Sequence, residues 1–139
     1  MRHRTLATGP LALTALAVTL ALIGLLPASA IAQTSGLAGN WSGTGRIILT
    51  TGDTERARCR ASIRQQTGRT FAVSAVCATP STRIAQSARV QQVSANAYEG
   101  QFYNREYDVG GRIWIRLRGD RLTATLTGGG ATGTMNLGR

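Results

Sequence analysis

Lysine is absent from this chain of 139 residues, and histidine occurs once, as His3. Cysteine is limited to Cys59 and Cys77, proline to three residues and aromatics to 5%. Each scarcity excludes something. The one imidazole lies in a segment that reads as a removable leader, so the rest of the chain cannot run a Ser-His-Asp or Cys-His mechanism or build a His-ligated zinc site. The two cysteines are too far apart in sequence for a C-x-x-C redox pair. Gly36, Gly39, Gly43 and Gly45 precede no helix start, which a phosphate-binding loop requires. The length allows one domain and leaves no room for a two-domain enzyme. A non-enzyme is therefore expected, with no catalytic residue, no metal and no cofactor.

What is present begins with a leader. Arg2, His3 and Arg4 form a positive start, Leu11 to Leu26 is an apolar run broken at Pro27, and Ala28-Ser29-Ala30-Ile31-Ala32 supplies small residues. This is the layout of a secretory signal peptide, and the run is short for a membrane span. A-x-A sites end at Ala30 and at Ala32; cleavage after Ala32 makes residues 1–32 the signal peptide and Gln33 the mature start. An uncleaved N-terminal anchor is the alternative. The expected location is periplasmic or extracellular, where a Cys59–Cys77 disulfide is the default. Of the 16 basic residues, all Arg, only two leave with the leader, while all six acids stay. The mature chain is strongly basic. Arg-only, Ala-rich usage is also what a high-GC bacterial genome imposes by mutation.

Residues 33–38 read as a flexible lead-in, and 39–139 as a single domain. Gly and turn residues recur roughly every 8 to 14 residues, and the stretches between them alternate with period two, which predicts an all-β fold. Strands are expected at about Asn40–Thr50, Thr54–Arg64, Thr70–Ala78, Thr82–Gln92, Ala97–Arg105 and Gly111–Arg118, with one across from the last and a final one at Ala131–Leu137. The fourth alternates weakly and is rich in Ala and Gln, so helix is its alternative.

Pairing across a pleat tests register. A second hairpin centred on Gly68 sets Ile63 against Val73, Ala61 against Ala75 and Cys59 against Cys77. All are inward, and facing residues lie within disulfide reach. The short loop so closed is worth on the order of 3 kcal/mol in the chain-entropy model. A first hairpin centred on Gly52 sets Ile47 against Ala57, Trp41 against Ile63 and Arg46 against Arg58. A two-residue II′ turn at Gly119-Asp120 sets Leu117 against Leu122, Ile115 against Ala124 and Ile113 against Leu126. Eight strands joined by short loops form a meander, which closes naturally into a small up-and-down antiparallel barrel. A two-sheet β-sandwich is the alternative.

Gly39-Asn40-Trp41 at the start of the first strand is similar to the G-x-W opening of lipocalins, and avidin-like barrels and small secreted bacterial metalloprotease inhibitors open comparably. The resemblance implies that Trp41 closes one barrel end and that an Arg from the last strand stacks on it. Arg139 is the Arg near that place. The wider pattern of Gly39-Asn40-Trp41-Ser42-Gly43-Thr44-Gly45, Gly52, Glu55, Arg58-Cys59-Arg60-Ala61 and Cys77 resembles a group of small exported proteins of alphaproteobacteria. That resemblance implies an exported β fold and supplies no activity.

Two Arg groups stand out. Arg56, Arg58, Arg60 and Arg64 share an outward face, joined by Arg46, and Arg112, Trp114, Arg116 and Arg118 share another, continued by Arg121. Guanidiniums bind phosphates and carboxylates bidentately, and a Trp among them adds stacking. These eight residues form the candidate anion-binding surface, set against the plainer reading of solvated strand faces in a Lys-free chain. Tyr98, Phe102, Tyr103 and Tyr107 read as a ligand mouth or as ordinary core and rim. Asp53/Glu55 and Glu106/Asp108 read as a weak Ca²⁺ or glycosidase pair, or as balance for the Arg excess.

The expected function is an exported non-enzymatic binding protein. Its partner is a small apolar ligand in the lumen or an anionic lipid or glycan of the envelope, with peripheral membrane-surface contact and no nucleic acid. The alternative is a protein-interaction module such as a periplasmic protease inhibitor acting through residues 33–38. A lumen ligand requires a cavity beneath Trp41, Val73, Phe102 and Ile115, whereas an envelope binder requires the two Arg groups to converge.

Overall fold

The computed structural model describes residues 36–139. The expected signal peptide, and residues 33–35 of the lead-in, lie outside the described residues. Eight strands follow one another: β1 (Gly39–Ile48), β2 (Thr54–Thr67), β3 (Thr70–Ala78), β4 (Arg83–Ser94), β5 (Ala97–Asn104), β6 (Val109–Arg118), β7 (Arg121–Gly128) and β8 (Ala131–Gly138). Each pairs antiparallel with the next, and β8 pairs back to β1, giving a closed barrel. Closure removes the two free edge strands that an open meander would have. The helix alternative for β4 is excluded: it is hydrogen-bonded to β3 on one side and β5 on the other. Cross-strand pairing overrides the weak alternation and the Ala and Gln content.

Two of the three expected registers hold. Cys59, Ala61 and Ile63 face Cys77, Ala75 and Val73. Leu117, Ile115 and Ile113 face Leu122, Ala124 and Leu126. The first hairpin is shifted by two residues: Trp41 faces Ala61, Gly45 faces Ala57, and Arg46 faces Arg56 rather than Arg58. The cause is the turn. Gly52 N–H donates to Leu49 O at 2.9 Å and Leu49 N–H to Asp53 O at 2.8 Å, with Gly52 at φ 90. This is a three-residue loop whose last residue is left-handed, so Gly52 sits one past the centre. A shift of two keeps every side chain on its expected face.

Closing so small a barrel bends β1 hard against β8. A Cβ at Gly43 would overlap the Asn136 carbonyl oxygen, and one at Gly45 would overlap that of Thr134. The space over Gly45 is filled by Met135, whose Sδ lies 3.4 Å from Cys59 Sγ. Because Cys59 is bonded to Cys77 (S–S 2.01 Å), that contact is sulfur packing, not a hydrogen bond.

Hairpins of a meander alternate between the two barrel ends. The turns at Gly68, Ala95 and Gly119 lie at one end with residues 36–38 and Arg139, and the turns at Gly52, Pro80, Glu106 and Gly129 lie at the other. The first end is sealed. Leu37 is fully buried, and Trp41, Ile63, Phe71, Val90, Tyr98, Leu117, Leu122 and Leu137 fill the interior above it. Phe71 and Tyr98 meet edge to face, 5.4 Å between centroids. At the second end the inward residues Ile47, Ala75, Ile84, Gln86, Ala88 and Leu126 are only half-buried. This end is the mouth.

Candidate functional site

Trp41 occupies the sealed end. Its indole Nε1–H donates to Leu37 O at 2.9 Å, and the Arg139 guanidinium lies 4.4 Å from its ring centroid. Arg139 also donates to Gly36 O (2.7 Å) and Ala38 O (3.1 Å) and pairs with Asp120 (3.1 Å). One cation thus holds residues 36–38, the indole and the β6–β7 turn together. Residues 36–38 are accordingly pinned into the end of the barrel, not presented as a free lead-in.

The lumen is an apolar cup below the mouth. Its walls include Ala61, Val73, Ala75, Ala88, Phe102, Ile113, Ile115, Leu126 and the disulfide. Of the residues expected to border this space, Val73, Phe102 and Ile115 line it and Trp41 does not. The enclosed volume is about 50 Å³. A water needs ~10–15 Å³ by this measure, and pockets for drug-sized ligands run to roughly 300–1,000 Å³. The cup therefore takes a narrow group a few atoms across, not a whole cofactor.

One polar side chain projects into this apolar space. Gln86 is an inward residue of β4, and its Oε1 is buried with no hydrogen-bond partner. Its position explains why it is orphaned. β4 pairs with β5 only from Ser87 onward, so Arg83–Gln86 have a neighbour strand on the β3 side alone. The wall has a notch there, covered by the β5–β6 turn. Tyr107 and Thr82 hydroxyls share a hydrogen bond of 2.7 Å across it, and the buried Asn104 accepts the Tyr107 N–H at 3.0 Å. Ser81 donates to both Glu55 carboxylate oxygens at 2.8 Å, tying two mouth turns together. Sequence reasoning missed Gln86; the signal was a Gln at an inward position of an alternating strand.

The expected aromatic mouth is dispersed. Tyr98 is in the floor, Phe102 lines the lumen, Tyr107 clasps the notch and Tyr103 faces outward. The Tyr103 hydroxyl donates to Asp108 Oδ1 at 2.6 Å, and that bond together with the carboxylate charge pushes its pKa above the ordinary tyrosine value. Burial raises that of Tyr98. Neither acidic pair joins a metal-binding cluster among the described residues.

The eight residues expected to form one anion-binding surface are split. Arg56, Arg58, Arg60 and Arg64 lie on β2, and Arg112, Trp114, Arg116 and Arg118 on β6. Four steps round a closed ring of eight strands places these groups on opposite sides of the barrel. Pleat alternation sets which face a residue takes, but only the closure order sets which faces are neighbours. Arg112 lies 5.4 Å over the Trp114 ring, so the second group does contain one stacked cation.

No family model matches the chain, and no curated protein matches it. Solved structures do. The chain is similar to a redesigned β-barrel, mFAP0, bound to DFHBI (15% identity, TM-score 0.64, covering 74% of this chain and 98% of that one). It is similar to a second, mFAP1, also bound to DFHBI (13% identity, TM-score 0.63, 74% and 94%). A de novo designed fluorescence-activating β-barrel aligns at 11% identity and TM-score 0.59, covering 75% of this chain and 94% of that one. At these identities the likeness establishes the fold alone: a closed eight-stranded antiparallel β-barrel.

Proposed function

We propose that this chain is an exported, non-enzymatic binding barrel that receives the apolar tip of a small ligand through its mouth, with the ligand's one hydrogen-bond donor on Gln86 Oε1. The observation that carries this reading is the orphaned amide oxygen in an apolar cup. A buried acceptor without a partner costs about 1–3 kcal/mol, and a donor from a ligand removes that cost. The enclosed 50 Å³ limits the inserted group to an alkyl end or one small ring. That solved barrels of this fold hold DFHBI is consistent with it. Export is supported by the leader layout and by the Cys59–Cys77 bond, at home in an oxidising compartment. The protease-inhibitor reading has less support, because residues 36–38 are held by Arg139 and Leu37 is buried.

Native mass spectrometry of the protein recovered from its own envelope tests the proposal. A discrete added mass of a few hundred daltons is expected, lost when Ala88→Phe fills the cup. A bare protein mass in both would mean that the lumen is simply filled.

A further inference from the structure

The outward face of β3 is separate from the lumen. Its outward residues are Ala72, Ser74, Val76 and Ala78, all small or short. The strands on either side raise arginines beside it. Arg58 and Arg83 flank Ala78, and Arg64 and Arg89 flank Ala72, each pair from β2 and β4. Arg60 stands beside Val76, with Ala85 opposite. Between the Arg pairs, Ser62, Ser74 and Ser87 form a row of three hydroxyls across the strands. The five arginines are exposed. Among the described residues the one ion pair is Arg139–Asp120, so none of these five has a carboxylate partner.

The result is a low trough with cationic walls. Neighbouring strands are ~4.8 Å apart, so the two walls stand roughly 10 Å apart at the backbone. The six residue steps from Ala72 to Ala78, at about 3.3 Å each, put the two Arg pairs some 20 Å apart along it.

We propose that this trough binds a linear acidic polysaccharide, with carboxylate or phosphate groups at the two Arg pairs and sugar hydroxyls at the serine row. Bidentate guanidinium–oxyanion bonds supply the affinity at both ends. The narrow floor selects an extended chain over a bulky partner. Two other polyanions fit the same charge less well. A single-stranded nucleic acid needs aromatic platforms for its bases, and none of the outward residues of β2, β3 and β4 is aromatic. A membrane surface needs exposed apolar anchors. The exposed large hydrophobics Ile48, Val93, Tyr103 and Tyr107 lie on other strands and turns, and none is on β3.

The test measures binding of the purified protein to polygalacturonate, with neutral dextran, an oligo-dT strand and phosphatidylglycerol vesicles in parallel. Polygalacturonate is expected to bind, with log affinity falling linearly with log salt concentration. The double change R64E/R89E should weaken it by more than about tenfold, while R118E/R121E at the β6–β7 turn, away from the trough, should leave it within about twofold. Equal losses from the two pairs would mean net charge and not a site, and would overturn the proposal. So would equal binding to dextran. Tighter, trough-dependent binding of oligo-dT or vesicles would hand the trough to that partner instead. If R64E/R89E does not fold, as judged by circular dichroism and the intact disulfide, the single neutral changes R64A and R89A carry the same comparison. Lumen filling by Ala88→Phe should leave polysaccharide binding unchanged, which keeps this test separate from that of the small ligand.

Discussion

The two ends of this barrel are built to opposite rules. At the sealed end the polar groups of Trp41 and Arg139 are partnered: the Trp41 indole has Leu37 O, and Arg139 has two carbonyls, a carboxylate and a π face. At the mouth the inward residues are half-buried, one strand loses a neighbour, and a buried amide oxygen has no partner. The same meander produces both. A fold can put its stability at one end and leave the other under-satisfied, and the under-satisfied end is where a ligand gains most by binding.

The contrast breaks most readily at Trp41. Trp41→Ala removes a side chain only 2% exposed, together with the seat of Arg139. Core Trp→Ala changes cost about 3–5 kcal/mol. Urea unfolding should show a loss of that size, and a loss no greater than that of a surface substitution would mean that the sealed end is not the stability centre. Arg139→Ala should cost less, about 2 kcal/mol, because the floor side chains remain.

Between Trp41 and Arg139 in size comes the disulfide, which belongs to the lumen wall. Replacing Cys59 and Cys77 by Ala frees a loop of sequence separation 18 and should cost about 3 kcal/mol. Cys59 and Cys77 already face each other across a hydrogen-bonded hairpin, so the barrel should still close. Equilibrium unfolding reads the loss, and circular dichroism at low denaturant reads the persisting sheet. Collapse of the sheet would show that the mouth side depends on the covalent bond and not on pairing.

Much of this architecture was legible in the sequence because a pleated strand writes its own code. Arg56, Arg58 and Arg60 alternate with Ala57, Cys59 and Ala61, and a half-buried strand with one wet face requires such a pattern. The Cys pair and the Gly119-Asp120 turn then set two registers. The first hairpin was misplaced by two residues because Gly52 marks the end of its loop and not the middle. The strand nature of β4 comes from its partners on both sides, which no window of its own residues contains. The same holds for the Arg faces. Arg83 and Arg89 belong with Arg58 and Arg64 only because β3 lies between them, and the β6 arginines stand four strands from those of β2 only because the ring closes. The alternation carried facing, while adjacency came from closure.

Gln86 sharpens the contrast with the opposite sign. Gln86→Leu exchanges an unpaired buried oxygen for apolar surface of similar size in an apolar cup. The ligand-free protein should be unchanged or more stable by about 1 kcal/mol. Ligand retention in native mass spectrometry should fall at the same time. Stability and binding moving in opposite directions is the signature of a site that holds its acceptor ready. If Gln86→Leu destabilises the protein, the oxygen has a role in the fold, and the mouth is not under-satisfied.

The smallest effect is confined to a surface turn. Tyr103 donates to Asp108, and its pKa is raised by that bond and by the carboxylate charge. The folded protein therefore keeps this proton to a higher pH than the unfolded chain. Any stability from the contact is fully present below the ordinary tyrosine value near 10 and is lost as pH rises through the higher folded value. Both groups are exposed, so the denaturation midpoint should barely move. Ultraviolet titration is the sensitive readout. Tyr103→Phe should delete a late-ionising tyrosine, and Asp108→Asn should bring that ionisation back toward the ordinary value. Asp108 holds a left-handed backbone at φ 50, and Asn tolerates that conformation as well as Asp does, so the exchange removes the charge without straining the turn. A titration unchanged by Asp108→Asn would show that the turn next to the notch is not held by this bond, leaving Tyr107–Thr82 as the clasp that matters.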